Sequence, residues 1–207
     1  GGAVLDVGCG LGRHALELAS AGFEVVGMDA NQSYLERAVG AANHKGLKIK
    51  FVKGDMRAFT LPPTFAAATL MRTTFGYFSE AENERVLAAV SASLVPGGQV
   101  IIDVVNRDWV NATGPQRLWW ESRNLIIMED VEFDARSSRL KIERTMVGEG
   151  LPRTVQSISI RLYTIGEYVR LFARHGMEFI DATGSLAHPG VYLGASNTRL
   201  IVRARKL

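Results

Sequence analysis

The stretch Ala3-Val4-Leu5-Asp6-Val7-Gly8-Cys9-Gly10-Leu11-Gly12 decides the fold, because an apolar strand runs straight into a glycine-rich turn and then into a helical pattern. Such a turn places backbone N–H groups and a helix N-terminus at the carboxyl end of a strand, where α/β sheets bind ligands. The third glycine of a dinucleotide-binding loop would stand at Arg13, but this sequence has it at Gly12. Asp6 adds a carboxylate beside the turn, which favours a ligand with a cationic amino-acid moiety over a diphosphate.

Beyond the turn, short apolar runs alternate with helical patterns through the first half of the chain. A capping-box spacing at Ser79-x-x-Glu82 starts the third helix, and Pro96-Gly97-Gly98 predicts a turn before a fifth strand. This alternation predicts a parallel sheet with crossover helices. The predicted strands span residues 3–7, 23–28, 49–52, 65–71 and 99–103, and the predicted helices span 13–21, 33–43 and 79–94.

The second half of the chain has a different periodicity. Alternating runs between about residues 119 and 162 predict an inserted antiparallel β meander. Thr164-x-x-Glu167 then caps a helix that ends near His175-Gly176, and two strands at 179–183 and 198–204 predict an antiparallel terminal hairpin. We therefore expect residues 1–207 to form one α/β domain: a Rossmann-like seven-stranded, mostly parallel sheet with the meander as a substrate-covering insertion.

Composition excludes several classes of protein. The chain has 207 residues, 47% of them hydrophobic, which can bury one sizeable core and excludes a disordered chain. Its 24 Lys and Arg against 21 Asp and Glu leave a surplus too small to indicate nucleic-acid binding. Cys9 is the single cysteine and no apolar run has the length of a membrane span, so we expect a cytoplasmic protein without disulfides and with no membrane partner.

The segment from Asp6 to Gly12 resembles the first motif of the class I S-adenosylmethionine-dependent methyltransferases, and the likeness extends over nearly the whole chain. Asp29, at the end of the second predicted strand, stands where the acidic residue of that family binds both ribose hydroxyls. Gly54-Asp55-Met56 resembles the adenine loop of the family, and Leu94-Val95-Pro96-Gly97-Gly98 matches the turn before its fifth strand. The resemblance implies S-adenosylmethionine as cofactor and S-adenosylhomocysteine as product.

The same resemblance implies a set of cofactor contacts. Asp55 would accept a hydrogen bond from the exocyclic amine of adenine, with Met56 flanking the ring, and Cys9 would serve as a small residue that fits the glycine turn. The implied cofactor-binding residues are Asp6, Gly8, Cys9, Gly10, Gly12, Asp29, Ala30, Asp55, Met56 and Met71.

The segment Phe75-Gly76-Tyr77-Phe78 resembles the branch of the family that acts on small molecules. In the active interpretation Tyr77 orients or deprotonates the acceptor, and Arg72 or Arg161 pairs with an anionic group on it. The structural alternative packs Tyr77 under a helix and places the arginines in ion pairs. Tyr77 and Arg72 are the candidate catalytic residues, the candidate substrate contacts are Phe75, Trp119, Arg161 and Tyr163, and Trp109 and Trp120 are further candidates for an aromatic wall.

The fourth predicted strand also bears on the reaction. It runs into Leu70-Met71-Arg72-Thr73-Thr74, which lacks the Pro-Pro-aromatic motif of nucleic-acid amino-methyltransferases and the acidic ligands of a metal-dependent site. We therefore expect no metal, and transfer of a methyl group to N, O or C of a small metabolite. A monomer or homodimer is expected, with cofactor-enclosing helices upstream of the first strand.

Three alternatives stay open. A nicotinamide-dependent oxidoreductase shares the early strand and helix pattern, although Arg13 in place of the third glycine argues against it. A non-catalytic S-adenosylmethionine-binding module is compatible with the end of the fourth strand. The basic tail Arg203-Ala204-Arg205-Lys206 leaves an RNA methyltransferase open, although four residues at a terminus are more often solvated charge.

Overall fold

The apolar run Ala3–Val7 forms a central strand of a seven-stranded sheet in the computed structural model, which describes residues 2–62, 64–122 and 124–207. The strands are β1 Ala3–Val7, β2 Val25–Asp29, β3 Lys50–Lys53, β4 Phe65–Leu70, β5 Leu94–Val105, β6 Gln116–Ser122, β7 Leu125–Asp134, β8 Arg139–Gly148, β9 Leu151–Arg161, β10 Met177–Thr183 and β11 Arg199–Lys206. The α-helices are α1 Arg13–Ser20, α2 Gln32–His44, α3 Glu80–Ser93, α4 Arg107–Thr113 and α5 Ile165–Arg174.

The first sheet has the order β10-β11-β5-β4-β1-β2-β3. Strands β1 to β5 are parallel, and β11 is antiparallel to both β5 and β10. The predicted α/β sheet with an antiparallel end is thus confirmed. Because the chain order reverses between β1 and β4, the turn after β1 lies at the switch point where open α/β sheets bind ligands.

The predicted turn at Pro96-Gly97-Gly98 lies inside a strand. Strand β5 runs from Leu94 to Val105, and its pairing with β4 shifts register between Phe65 and Ala67. Gly97 has a φ of 78°, so the chain bulges locally and then resumes the ladder. The sequence pattern also missed α4, because seven residues are too few to show a helical period.

Strands β6 to β9 form a separate four-stranded antiparallel sheet, here called the second sheet. It spans residues 116–161, close to the predicted 119–162. Its inner face is the side that carries Leu140 and Ile160, which pack against Val110 of α4 in a small hydrophobic cluster of their own. The second sheet therefore stands on the end of β5 and α4.

The main core lies between the first sheet and helices α3 and α5. Tyr168 and Phe172 of α5 stack within it, with 5.7 Å between ring centroids. Both predicted capping boxes, at Ser79 and Thr164, are present at the starts of these helices. Among the residues that the structure describes, no helix is long and apolar enough to cross a membrane.

Gly76 is the point where the loop after β4 meets the second sheet. Its carbonyl accepts a hydrogen bond from the N–H of Arg161 at 2.8 Å, and its φ is 107°. A Cβ at this position would lie 2.3 Å from the carbonyl oxygen of Arg161 and 3.1 Å from Cγ2 of Ile160. Only glycine permits both this backbone angle and this approach.

Replacing Gly76 with Ala should therefore destabilise the fold by about 2 to 5 kcal/mol, the sum of a strained φ and overpacking. Gly97→Ala is the matched control, because Gly97 also has positive φ but nothing lies within 4 Å of its added Cβ. That control should cost about 1 to 2 kcal/mol from backbone strain alone. Urea unfolding monitored by circular dichroism measures both, and equal losses would contradict the close approach.

Candidate active site

The turn between β1 and α1 is built from three glycines in the left-handed region. Gly8, Gly10 and Gly12 have φ values of 68°, 55° and 78°. The N–H of Cys9 donates to the carbonyl of Met28 at 2.9 Å, which ties the turn to β2. Gly12 caps α1 without a side chain, so the amide end of the helix faces the sheet edge. Backbone donors, rather than cationic side chains, therefore line this turn.

Gly8 also permits two other loops to come close. A Cβ there would lie 2.4 Å from Cγ2 of Thr74, in the loop after β4, and 3.4 Å from Cε of Met56, in the loop after β3. Three loops that follow three different strands thus meet at one glycine. This convergence builds a binding site from residues distant in the sequence.

Asp29 holds the glycine turn in place from the end of β2. Its Oδ2 accepts a hydrogen bond from the N–H of Gly10 at 2.8 Å, and its Oδ1 accepts one from the N–H of Asn31 at 2.8 Å. Each carboxylate oxygen has further lone pairs, so Asp29 can still accept hydrogen bonds from a ligand diol. Its predicted ribose-binding role fits this position.

Asp6 lies beneath the turn and is 1% exposed. Thr69 donates to Oδ1 at 3.2 Å, whereas the buried Oδ2 has no hydrogen-bond partner in the described part of the chain. Burial raises the pKa of the Asp6 carboxyl to about 6. A buried acceptor without a partner is costly, and an ammonium group of a ligand would satisfy it.

Asp55 lies in the predicted adenine loop, where Arg57 binds it. Arg57 donates to both oxygens of Asp55 at 2.6 to 3.1 Å and to Glu82 at 2.9 Å, and its guanidinium lies 4.5 Å from the ring centroid of Phe78. These hydrogen bonds lower the pKa of Asp55 to about 2. The sequence analysis missed Arg57, whose partner is only two residues away.

A cavity of about 150 Å³ brings together five of the ten predicted cofactor residues. Gly8, Asp29, Ala30, Asp55 and Met56 all line it, together with Met28, Gly54, Arg57 and Phe78. This lining presents carboxylates and thioethers, with Arg57 already paired. The set therefore fits a donor-rich, cationic cofactor such as S-adenosylmethionine better than a diphosphate.

Five of the ten predicted cofactor contacts lie outside this cavity lining: Asp6, Cys9, Gly10, Gly12 and Met71. Cys9 is 8% exposed, and a Cβ at Gly27 would lie 3.0 Å from its sulfur, so the thiol packs under the turn. Burial raises the pKa of Cys9 to about 12, which removes thiolate chemistry at neutral pH. The carbonyl of Met71 accepts a hydrogen bond from Thr74 at 2.7 Å, which stabilises the loop after β4.

Arg72 and Thr73 are two consecutive non-glycine residues with positive φ, 59° and 67°. The side chain of Asp103 accepts a hydrogen bond from the N–H of Arg72 at 3.0 Å, and its carbonyl accepts one from Thr73 at 2.7 Å. Arg199 of β11 binds both the Asp103 carboxylate, at 2.8 Å, and the Thr73 hydroxyl, at 3.1 Å. The sequence analysis missed Asp103 and Arg199, which hold this strained loop in place.

Phe75 and Tyr163 were expected to contact substrate, and the structure corrects this expectation. Phe75 is 1% and Tyr163 is 2% exposed, and their ring centroids lie 5.5 Å apart in the main core. The Tyr163 hydroxyl donates to Glu80 at 2.8 Å and accepts from Asn83 at 3.0 Å. Both rings are therefore closed off from a ligand by packing that local sequence does not reveal.

Arg161 was expected to pair with an anionic substrate group, and this expectation is also wrong. Its guanidinium donates to Glu80 at 2.6 Å, to Glu167 and to the carbonyl of Leu162, and it stacks on the ring of Tyr163. All three of its nitrogens are engaged within the protein. Arg161 thus follows the structural alternative, an ion pair.

Tyr77 and Trp119 keep exposed side chains, at 46% and 70%. Burial of part of Tyr77 raises its pKa, and the charge of Arg144 partly offsets that effect. A phenol with a raised pKa is a hydrogen-bond donor rather than a base at neutral pH. Trp119 lies on the face of the second sheet opposite the inner face, while Trp120 lies on the inner face. Their substrate roles, like that of Arg72, stay predictions.

A larger, open depression of about 880 Å³ lies along the second sheet, between Gln116 and Ser159. It shares no lining residue with the cavity at the glycine turn. Within residues 2–62, 64–122 and 124–207, no three His, Cys, Asp or Glu side chains gather as metal ligands. The chemistry-bearing groups therefore meet at the smaller cavity.

Comparisons with known proteins agree with this site. Residues 4–98 match the family model described as a methyltransferase domain. The cypemycin N-terminal methyltransferase of a Streptomyces species is 33% identical over 105 residues, which are 50% of this chain and 42% of that protein. The dTDP-3-amino-3,6-dideoxy-alpha-D-glucopyranose N,N-dimethyltransferase of Streptomyces fradiae is 24% identical over 92% of this chain and 76% of its own length.

Solved structures show the same fold. A crystal structure of an S-adenosylmethionine-dependent methyltransferase from Clostridium acetobutylicum superposes with a TM-score of 0.84 at 17% identity, over 98% of this chain and 83% of that one. The chain thus spans less than half of the cypemycin relative but most of the sugar relative and of this structural neighbour. The match to the structural neighbour includes the second sheet as well as the cofactor-binding half.

Asp29→Ala should weaken binding of S-adenosylhomocysteine by about 1.5 to 3 kcal/mol, because charge-assisted hydrogen bonds to the ribose diol are lost. Isothermal titration calorimetry measures this loss. Asp130→Ala, at an exposed position of β7, is the control and should leave affinity unchanged. An Asp29→Ala protein that binds as tightly as wild type would refute the ribose assignment.

Binding of S-adenosylhomocysteine should also depend on pH through Asp6. Because its folded-state pKa is raised to about 6, the carboxylate that attracts an ammonium is lost as pH falls through 6. Affinity should therefore rise about tenfold from pH 5 to pH 7. Asp6→Asn should flatten this profile, and a wild-type affinity that is equal at both pH values would contradict the role of Asp6.

Proposed function

Because the chain belongs to the class I S-adenosylmethionine-dependent methyltransferases, we propose that it methylates the amino group of a small, sugar-like metabolite. The observation that carries the choice of acceptor is the match to the Streptomyces fradiae sugar N,N-dimethyltransferase, which spans 92% of this chain. At 92% coverage, that match extends beyond the residues of the family model and includes the second sheet. The product from the cofactor is S-adenosylhomocysteine.

The cofactor, when bound, supplies an electrophilic methyl group. The chain holds it with four sets of groups: the backbone of the glycine turn, Asp6 for the ammonium, Asp29 for the ribose diol, and the loop of Asp55 and Met56 for adenine. With the cofactor held in this way, the protein has chiefly to align the acceptor amine with the methyl group, since the reaction needs no nucleophile from the chain. Cys9, the single cysteine, is buried and protonated at neutral pH.

On the acceptor side, Tyr77 is an exposed side chain of the loop after β4, as is Arg72. Its phenol stays neutral at pH 7, so it donates a hydrogen bond to the acceptor or receives one from it and thereby orients the amine. The network of Asp103, Arg199 and Thr73 fixes the start of this loop. Arg72 contributes through its constrained backbone, and its side chain remains a candidate for contact with the acceptor.

The domain organisation, the location and the oligomeric state are also part of the proposal. A single domain over residues 1–207 is supported by the docking of the second sheet on Gly76 and α4. A cytoplasmic location, supported by the use of one reduced cysteine, and a monomeric or homodimeric state complete the proposal.

The experiment that tests the function has two stages. Thermal unfolding with the cofactor, its demethylated product or NAD should show shifts of about 5 to 10 °C with the first two alone, at ligand about 100 times the dissociation constant. Release of S-adenosylhomocysteine is then measured with dTDP-3-amino-3,6-dideoxy-α-D-glucose, and with dTDP-glucose as the control that lacks the amine. A shift with NAD alone, or equal turnover of both nucleotides, would overturn the proposal.

A further inference from the structure

The inner face of the second sheet carries a partly buried ion pair. Glu129 of β7 and Arg144 of β8 are directly opposite in the ladder, and Arg144 donates to Oε1 of Glu129 through Nε at 2.6 Å and through a terminal nitrogen at 2.5 Å. The Glu129 side chain is 10% exposed and the Arg144 side chain is 34% exposed, so the carboxylate is buried while the guanidinium reaches the surface. Burying the carboxylate costs desolvation energy, which offsets much of the attraction between the two charges.

The neighbouring rows of the same face are mostly apolar, with Gln116 and Thr154 at their ends on the outer strands. Toward the base of the sheet lies the cross-strand row of Val131, Ile142 and Ile158, and beyond the ion pair lies the row of Trp120, Ile127 and Met146. In the row of the ion pair itself, Gln156 of β9 lies opposite Arg144. The two charges of this face are therefore placed at one level, between rows that are mostly apolar.

This face is directed toward the loop after β4. Leu140 and Ile160 form the row that meets Gly76, since a Cβ at Gly76 would lie 3.1 Å from Ile160. The ion pair is two rows further along the same face, about 13 Å away by strand geometry. Tyr77 is the neighbour of Gly76 in the chain, and the charge of Arg144 lowers the pKa of its phenol, against the larger effect of burial. Tyr77 and the ion pair thus lie on the side of the second sheet that meets the loop after β4.

The pair offers one unused acceptor and one unused donor. Oε1 of Glu129 takes both hydrogen bonds from Arg144, and in the described part of the chain neither Oε2 of Glu129 nor Nη1 of Arg144 makes a hydrogen bond. Because the two charges cancel, the pair does not favour binding of an isolated anion. It favours neutral groups that can both donate and accept a hydrogen bond. Trp120, on the same face and 39% exposed, adds an aromatic surface for the apolar side of a ring.

We propose that Glu129 and Arg144 form the acceptor subsite of this enzyme and bind adjacent hydroxyl and amino groups of a polyhydroxylated amine. This proposal rests on the proposed function. Oε2 of Glu129 accepts from one group, and Nη1 of Arg144 donates to its neighbour. Trp120 and Tyr77 flank the ring. The subsite thereby sets specificity for an amine that carries a neighbouring hydroxyl, while the cofactor is held elsewhere.

The test is a double variant, Glu129→Leu with Arg144→Met, which replaces the pair by apolar residues of similar volume. Such replacements are often neutral or stabilising, so the protein should stay folded. The matched control is Glu132→Leu with Lys141→Met, since these residues are also opposite each other on β7 and β8 but point to the other face. The probes are 3-amino-3-deoxy-D-glucose and cyclohexylamine, titrated in the presence of S-adenosylhomocysteine.

Wild type and the control variant should bind the amino sugar at least about tenfold more tightly than cyclohexylamine, because unpaired polar groups reject the ligand without hydroxyls. The inner-face double variant should lose this preference and keep its affinity for S-adenosylhomocysteine and its unfolding midpoint. Glu129→Gln preserves the shape of the side chain and should lose part of the preference for the amino sugar. It replaces the double variant in the test if that variant does not fold.

Three outcomes would overturn the subsite: a wild type without preference, a preference that survives in the inner-face variant, or an equal loss in the control. A merely structural pair would leave the ratio between the affinities for the two probes unchanged, whatever the effect of the double variant on stability. Failure of the proposed function has a different signature, since wild type would then not bind S-adenosylhomocysteine or would release none from S-adenosylmethionine.

Discussion

The close approach of three loops at Gly8 is the constraint on which the rest of the structure depends. Thr74 occupies the space that a Cβ of Gly8 would need, so the loop after β4 must turn sharply as soon as its strand ends. That turn is made by Arg72 and Thr73 in the left-handed region, a conformation costly for residues with side chains. Asp103 and Arg199 hold it with buried, charge-assisted hydrogen bonds from two other strands. The same loop then continues to Gly76, on which the second sheet docks.

Electrostatics gives the site its selectivity. Asp6, Asp29 and Asp55 lie at one sheet edge, and their carboxylates have different partners. Asp6 is buried with one unpaired oxygen, Asp29 accepts hydrogen bonds from backbone N–H groups, and Asp55 is paired with Arg57. An edge with this balance repels a diphosphate and receives hydroxyl, amine and ammonium donors. Arg57 also lies over Phe78, so the adenine loop and the loop after β4 are joined by one side chain.

The second sheet has two different faces. Its inner face combines an apolar base with one partly buried ion pair, whereas its outer face exposes Trp119, Met128 and Val155. Pleating alone separates these two surfaces, since successive side chains of a strand point in opposite directions. The specificity proposed for Glu129 and Arg144 therefore rests on register, and a shift by one residue would exchange the two faces.

The sequence by itself determined the parallel strands and four of the five α-helices, both capping boxes, the antiparallel end of the first sheet and five residues that line the cavity at the glycine turn, because these depend on local periodicity and on motifs of adjacent residues. It did not indicate α4 or the continuation of β5 through Pro96-Gly97-Gly98. Tertiary structure alone decided which polar and aromatic residues face a ligand. Phe75 and Tyr163 lie in the main core, and Arg161 forms ion pairs, because the fold brings them into contact with residues of α3 and α5. Asp103, Arg199, Glu129 and Arg144 have no local signal, since each acquires its role from a partner that only strand pairing or sheet packing brings within hydrogen-bond distance.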